Sequence, residues 1–501
     1  MSVGSVIVVG SGNAAMSAGI AALEAGADVL MVEKAGPELA GGNTKYTAGA
    51  MRIAYEASDD LLPLLANPDD PRIPNTDFGA YPASKFADDL LGFNAGRPLS
   101  PEQQTLVTES YDAVRWLAGH GVTYEPIYER QSFKKDGRHI FWGGLTLAAE
   151  NEGVGLFEME RTAFQKLGGR IRYEAGVTDL LHDSGRVTGV KIGDEAVEAD
   201  AVILACGGFE ASDAMRVEKI GPDWAAAKVR GTPHNTGDGL RMALGLGAQT
   251  YGSFEGCHAT PMDLHMKNFG NLDLPPKDRK NYRKICYFLG VMLNADGERF
   301  VDEGINFRNY TYAQFGRAVL EQPGHFAWQV FDAKVADLLY AEYSFHDASF
   351  VEADTLERLV DQMDGANSSA ALKTLESYNA AVDDTAPFDP TILDGKRTNG
   401  LALDKTNWAQ RIDQPPFRAY PVTGGITFTY GGLKVDEDGA VINSEESAIP
   451  GLFACGELVG GVFFGGYPGG SGLTSGTVFG RRAGVGAARH ASVARMAAYM
   501  F

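Results

Sequence analysis

Cysteine is scarce in this chain: only Cys206, Cys257, Cys286 and Cys455 occur, far apart and without a CxxC pair. That spacing suits neither a disulfide framework nor a zinc site and predicts reduced thiols. No stretch approaches 18 consecutive apolar residues, so no membrane-spanning helix is expected. Positive charge is short as well. Lys and Arg number 44 against 65 Asp and Glu, and the formal charge of −21 argues against nucleic acid as a partner. The opening MSVGSVIVVGSG lacks the basic and long apolar regions of a secretory signal, which predicts a cytoplasmic protein. Internal repeats and low-complexity segments are missing too. A chain of 501 residues is too long for one core, and about 150 residues per domain predicts two or three.

Glycine, in contrast, is abundant and placed. Ser5 to Val9 is a short β-branched run, the pattern of a buried parallel strand, and it enters Gly10-Ser-Gly12-Asn-Ala-Ala15. A helical stretch follows, and then a second strand, Asp28 to Val32, ending at Glu33. This is GxGxxA in its βαβ context with an acid about 20 residues on, a dinucleotide site. Gly10 makes the turn, Gly12 lets backbone approach a pyrophosphate, the helix N-terminus faces the phosphates, and Glu33 accepts from ribose hydroxyls. An acid there disfavours a 2′-phosphate, leaving FAD or NAD. Gly41-Gly42-Asn43-Thr44 and Thr47-Ala-Gly49 form a second small-residue loop, which a flavin needs and a nicotinamide does not. Strand-to-glycine junctions recur at Ala201–Gly208, which includes Gly207, and at Ile449–Glu457. The expected fold is α/β: a Rossmann-like FAD-binding domain assembled from distant segments, with an inserted α+β capping domain.

The segmentation follows composition. Residues 1–256 and 416–501 read as two parts of the FAD-binding domain, and the more aromatic and charged 257–415 as the cap. Residues 56–105, rich in Pro, Asp and Asn, read as a surface excursion. Arg170 to Tyr173, Arg186 to Ile192 and Ala201 to Ala205 read as strands of a small sheet. The run KDRKNYRK at 277–284 reads as a solvated face. One more stretch, GGVFFGGYPGGSGLTSG at 460–476, mixes glycine with Phe463, Phe464 and Tyr467. It reads as backbone that approaches a ligand closely, with a few aromatic side chains turned toward it.

Together GSGNAA, VEKA, GGNTKYTAGA, NTGDG, NADGERFVDE, IPGLFACGE and FGRRAG resemble the fumarate reductase/succinate dehydrogenase flavoprotein superfamily over nearly the whole chain. Within it GCHA, FRNYTYA, GITFT-GG and YPGGSGLTSG are most similar to the FAD-dependent tricarballylate dehydrogenase branch, with ketosteroid Δ-dehydrogenases more distant. The resemblance implies FAD contacts at Gly10, Gly12, Asn13, Ala14, Glu33, Lys34, Gly42, Asn43, Thr44, Gly49, Val177, Gly207, Asp238, Glu457, Ser471, Gly472 and Leu473. Covalent members carry a histidine about where Asn43 stands, so non-covalent FAD is implied.

Desaturating a C–C bond beside a carbonyl or carboxylate needs donors on that group, a base for the α-proton, and the flavin N5 to take the β-hydrogen as hydride. The resemblance places the proton-transferring arginine at Arg299, the alternative being a hairpin arginine beside Asp302 and Glu303. It places a substrate-binding histidine at His258, where a structural histidine is the alternative; Arg308 in FRNYTYA either anchors Glu303 or reaches substrate, the structural role being favoured. Two carboxylate holders of fumarate reductases are missing: Phe428 stands for a histidine and Tyr467 for an arginine. The proton-relay pair falls loosely at Lys284 and Tyr287. Tyr467 and Tyr287 thus become candidates for the base or for polarising a carbonyl, with aromatic packing as the alternative for Tyr467. The expected activity is Cα–Cβ dehydrogenation of a carboxylate or ketone, tricarballylate being the concrete case. Cyclic-ketone or 3-ketosteroid-like dehydrogenation is the runner-up, and a flavin electron-transfer protein without its own substrate the reading from another class. The electron acceptor would be oxygen, a quinone or a separate redox protein.

Overall fold

The computed structural model describes residues 4–498. Its larger domain is built on a six-stranded sheet in the order Ala440–Ile442, Ala448–Ala454, Ala201–Leu204, Ser5–Val9, Asp28–Val32, Arg170–Arg172. Every neighbouring pair is parallel except the first. Segments from both ends of the chain and from its middle thus share one sheet. Only Arg186–Ile192 of the three expected small-sheet strands lies in a separate sheet, between Val177–Asp183 and Glu195–Glu198. Arg170–Arg172 and Ala201–Leu204 belong to the large sheet, where both find parallel neighbours on the first βαβ unit, the first at the sheet's edge and the apolar second inside it.

Helix Asn13–Glu24 packs along the C-terminal helix Ser471–Ala498. Gly476, Gly480 and Gly484, four residues apart, make that possible. A Cβ on Gly480 would lie 2.5 Å from the Ala14 carbonyl oxygen, one on Gly484 would run into that of Ala18, and one on Gly476 would crowd the Asn13 amide. Each helical glycine costs about 1 kcal/mol of intrinsic propensity, and here close backbone approach offsets it. The Asn13 side chain ties the two helix starts together, donating to the Leu473 carbonyl at 2.8 Å and accepting from Thr477 Oγ1 at 3.1 Å. Both N-termini therefore open toward the same place.

The strands of the cap gather on Phe417–Thr429, a 13-residue strand. It pairs antiparallel with Cys257–Asp263, Phe326–Phe331 and Val351–Ala353, and parallel with Lys228–Val229. The expected boundary lies at 415/416; past it, the strand pairs with segments of the expected cap, and Gly432–Leu433 beyond it pairs with Thr250–Tyr251. A run buried on both faces reads alike in either domain, so only its partners decide where it belongs. Cap helix Arg308–Leu320 packs on the Cys257–Asp263 strand and directs its first turn at the domain boundary. Helix Pro101–Gly119, capped by Ser100, holds the start of the glycine-rich segment: Ser100 Oγ donates to the Gly461 carbonyl at 2.7 Å and Gln103 Nε2 to that of Val462 at 3.1 Å.

Candidate active site

Between the domains runs a cleft of about 1950 Å³, part of it open to solvent. At its nucleotide end the residues fit a dinucleotide. Gly10, at φ +108°, needs to be glycine for the protein's own sake, because a Cβ would run into the Ala205 carbonyl. Gly12 does not: a Cβ there would meet nothing closer than Thr44 Oγ1 at 3.5 Å. What Gly12 keeps clear is the cleft, and Gly42 and Gly472 do the same, with no neighbour nearer than 3.8 and 3.6 Å. No side chain of the N-cap residue occupies the first turn of Asn13–Glu24; Thr44 Oγ1 takes only the Asn13 N–H, at 2.9 Å. The remaining N–H groups suit a phosphate. Glu33, buried at the end of its strand, accepts from Ser11 Oγ at 2.5 Å and the Ala35 N–H at 2.7 Å, and each oxygen keeps a lone pair for a ribose.

Gly10, Gly12, Asn13, Ala14, Glu33, Lys34, Gly42, Asn43, Thr44, Val177, Gly207, Asp238, Glu457, Gly472 and Leu473 all line the cleft. Gly49 and Ser471 do not: Gly49 packs on the Glu152 backbone, and Ser471 Oγ donates to the Pro468 carbonyl at 2.6 Å. Lys34 reaches Asp238 at 2.8 Å and Thr236 at 3.0 Å, bracing two loops. The Asn43 amide is fully used, donating to Glu210 and the Thr427 carbonyl and accepting from the Thr232 N–H. Burial, then the neighbouring Glu457, pushes the Glu210 carboxyl well above the usual carboxylate range.

At the other end stand four arginines, Arg130, Arg230, Arg283 and Arg308, of which Arg130 has the Glu152 carboxylate at 3.3 Å. Arg283 pairs with Glu342 at 2.6 Å, and Arg130 lies 3.7 Å from the same acid. Against the effect of burial, these two arginines hold the Glu342 carboxyl at about 2. Arg230 donates only to Thr427 Oγ1 and the Tyr46 carbonyl, and Arg308 to the Arg130 carbonyl. Among the described residues neither has an ion-pair partner, though both are nine-tenths or more buried. Burial, then the charge of Arg283, pulls the Arg230 guanidinium down to about 10. The solvated face expected at 277–284 is therefore corrected: Arg279, Lys280, Arg283 and Lys284 are all buried, several of them against acids from other segments.

Beside the arginines, the hydroxyls of Tyr312 and Tyr467 lie 2.6 Å apart. Burial, then Tyr312, pushes the Tyr467 hydroxyl well above its usual range. His258 sits behind them, stacked on Phe428 and edge-on to both tyrosine rings, with neither nitrogen bonded and no exposure. Burial, then Arg230 and Arg283, keeps it neutral. It backs the cleft instead of lining it.

The structure does not bring the other two catalytic candidates to the cleft. Arg299 is bidentate to Glu303, with bonds of 3.1 and 2.5 Å, and donates to the Leu403 carbonyl at 2.6 Å and that of Val301 at 3.4 Å. The bonds to Glu303 and Val301 keep it within its own hairpin, and it does not line the cleft. Tyr287 is fully buried against Phe315, its hydroxyl 2.6 Å from Thr311 Oγ1. In their place stand Arg308, Tyr312, Arg230 and Arg283. The first two lie in the FRNYTYA motif, the third just ahead of NTGDG, and the fourth in the basic run.

A family model described as an FAD binding domain matches residues 5–473. The cytochrome-linked fumarate reductase of Shewanella frigidimarina is 28% identical over 97% of this chain and 77% of its own length. The 4-oxocyclohexanecarboxylate 2-dehydrogenase of Sinomonas cyclohexanicum is 26% identical over 93% and 89%. Among solved structures, an open flavocytochrome c3 fumarate reductase superposes with a TM-score of 0.70 at 26% identity, covering 98% of this chain and 78% of that one. The 3-ketosteroid Δ1-dehydrogenase of Sterolibacterium denitrificans shares the fold, with a TM-score of 0.70 at 20% identity over 97% and 99%. The chain belongs to the FAD-binding flavoprotein family of the fumarate reductases and is an FAD-dependent oxidoreductase.

Proposed function

We propose that this oxidoreductase desaturates the Cα–Cβ bond of a substrate bearing two or more carboxylates, tricarballylate being the concrete case, with non-covalently held FAD. The observation that carries the reading is the pair of buried, unpaired guanidiniums of Arg230 and Arg308 beside Arg283. A buried charge without a partner is costly, and a substrate carboxylate on each would remove that cost. Guanidinium forks also match carboxylates in a bidentate manner. The arginines therefore take over, from another wall of the cleft, the task that Phe428 and Tyr467 cannot perform.

Carboxylates held by Arg230, Arg283 and Arg308 become better electron sinks, which acidifies the adjoining Cα–H. The Tyr312–Tyr467 pair lies next to these groups and relays the α-proton: one hydroxyl accepts it as the pair releases its own proton, along the 2.6 Å bond, to water in the open part of the cleft. His258 and Phe428 keep water from behind the pair. When bound, FAD supplies the two-electron acceptor for the hydride leaving Cβ. The electrons then pass to a separate acceptor. One observation favours the reverse direction as a second reading. Tyr467 lines the cleft and is protonated at rest, so the site holds a hydroxyl proton for an unsaturated carboxylate.

The test is anaerobic. Tricarballylate added to the FAD-loaded protein should bleach the oxidised flavin band, or cis-aconitate should re-oxidise protein reduced with dithionite, while cyclohexanone-type ketones and 3-ketosteroids do neither. Bleaching by a ketone alone would replace the carboxylate reading with the ketone one. No response to either tricarboxylate would refute it.

A further inference from the structure

Outside the cleft, five segments meet in a buried polar junction. Arg52 has no exposed surface. Its Nε donates to the Gly469 carbonyl at 2.8 Å and its Nη1 to that of Gly143. Its own N–H donates to the Gly470 carbonyl at 3.2 Å. Asp89 lies 3.7 Å from Arg52 and accepts from Tyr81 at 2.5 Å, Tyr310 at 2.9 Å and Lys85 at 2.8 Å. The Arg52 guanidinium lies over the rings of Tyr81 and Tyr310, 5.0 and 5.6 Å from their centres. Gly143 and Gly144 both adopt positive φ, and side chains at either would overlap Asn309 and Tyr81. The Gly469 N–H then donates to the Asn309 carbonyl at 3.0 Å.

The neighbours give this junction its significance. Tyr310 stands two residues from Arg308 and two from Tyr312 on the first turns of the cap helix. Gly469 stands two residues after Tyr467. The junction therefore clamps, across the domain boundary, the two backbone segments that carry the proposed substrate-facing side chains. A single carboxylate, Asp89, serves both: it holds the cap helix through Tyr310 and the glycine loop through Arg52. Arg52 Nη2 and Asn309 Oδ1 have no partner, yet the remaining bonds tie five segments to one another and leave them few alternative geometries, and misplacing a reacting group by about 1 Å can cost about 100-fold in rate.

We infer that Asp89 and Arg52 are positioning residues, acting through Tyr310 and the Gly469 carbonyl to hold Arg308 and Tyr312 of the cap in register with Tyr467. The inference rests on the assignment of those three side chains to substrate, but its structural half is testable without one. The experiment compares wild type, Tyr310→Phe and Asp89→Asn, all FAD-loaded. Amide exchange in peptides spanning 305–313 and 463–471 should accelerate at least tenfold in both variants, with no change across Ser5–Val9. FAD content should stay at the wild-type level. Substrate-driven bleaching should slow at least tenfold, and Tyr467→Phe should cost less in the Tyr310→Phe background than in wild type. Unchanged exchange in both peptides, a uniform rise over the whole chain, or hydroxyl deletions whose effects simply multiply would overturn the inference. Should Asp89→Asn fail to fold, Tyr310→Phe removes one hydroxyl only and carries the test. A wild type inert to every substrate would sink the functional reading and leave the exchange result to decide this one.

Discussion

Replacing Arg230 by Met should raise stability and lower activity together. The guanidinium is 5% exposed, has no ion-pair partner among the described residues, and is pulled down to about 10 by burial and by Arg283. That depression corresponds to about 3 kcal/mol against the charged folded state at neutral pH. The sign follows from linkage: the unfolded chain holds this proton more tightly, so stability rises only above about pH 10, and at neutral pH the whole penalty persists. Met of similar length removes it but also removes the bonds to Thr427 Oγ1 and the Tyr46 carbonyl. Those bonds contribute about 1 kcal/mol each. The net expectation is about 1 kcal/mol of stabilisation, a rise of about 1–2 °C in Tm for a chain of this size. Binding moves the other way. Losing one partner of a buried charge pair costs about 2–5 kcal/mol, so kcat/KM for a polycarboxylate should fall roughly 30-fold or more. Differential scanning calorimetry and steady-state kinetics on the same preparation decide it. A variant that melts several degrees lower with kcat/KM unchanged would show Arg230 to be structural and refute the argument.

Gly10→Ala and Gly12→Ala should separate. The first strains a φ of +108° and meets the Ala205 carbonyl, lowering the apoprotein Tm, whereas the second, at φ −72°, leaves that Tm within about 1 °C and weakens FAD binding at least tenfold by titration. Arg299→Met leaves Glu303 buried without its partner, at a cost of about 3–5 kcal/mol. It should melt several degrees lower yet turn over normally at low temperature, and loss of turnover in fully folded protein would restore Arg299 to the mechanism. His258 stays neutral in the fold, whereas the unfolded chain protonates it below about pH 6.5. Its contribution therefore falls by up to about 1.4 kcal/mol per pH unit below that point, and His258→Phe should flatten the Tm profile between pH 6.5 and 5.

The nucleotide half of the molecule was legible because its chemistry is local. A strand, a turn of φ +108° and a helix start fit within Ser5 to Ala15, and few residue types satisfy them. The glycine-rich segment 460–476 was legible for a related reason. Backbone approach excludes side chains one position at a time, and Tyr467 was singled out there and does line the cleft. The catalytic half was not local. Arg299 and Arg308 sit nine residues apart in two neighbouring motifs, and the sequence left open whether Glu303 takes the first and which of the two faces the cleft.

The sequence by itself determined the FAD-type domain, the inserted cap and the class of chemistry, since these rest on short-range patterns that backbone geometry enforces. Only the tertiary structure decided which charges meet. It buried the basic run 277–284, paired the strand Phe417–Thr429 with segments of the expected cap, and brought Arg230, Arg283 and Arg308 together from distant segments. Burial sets the energy of a charge, and burial is a property of what packs around a residue, not of its neighbours along the chain.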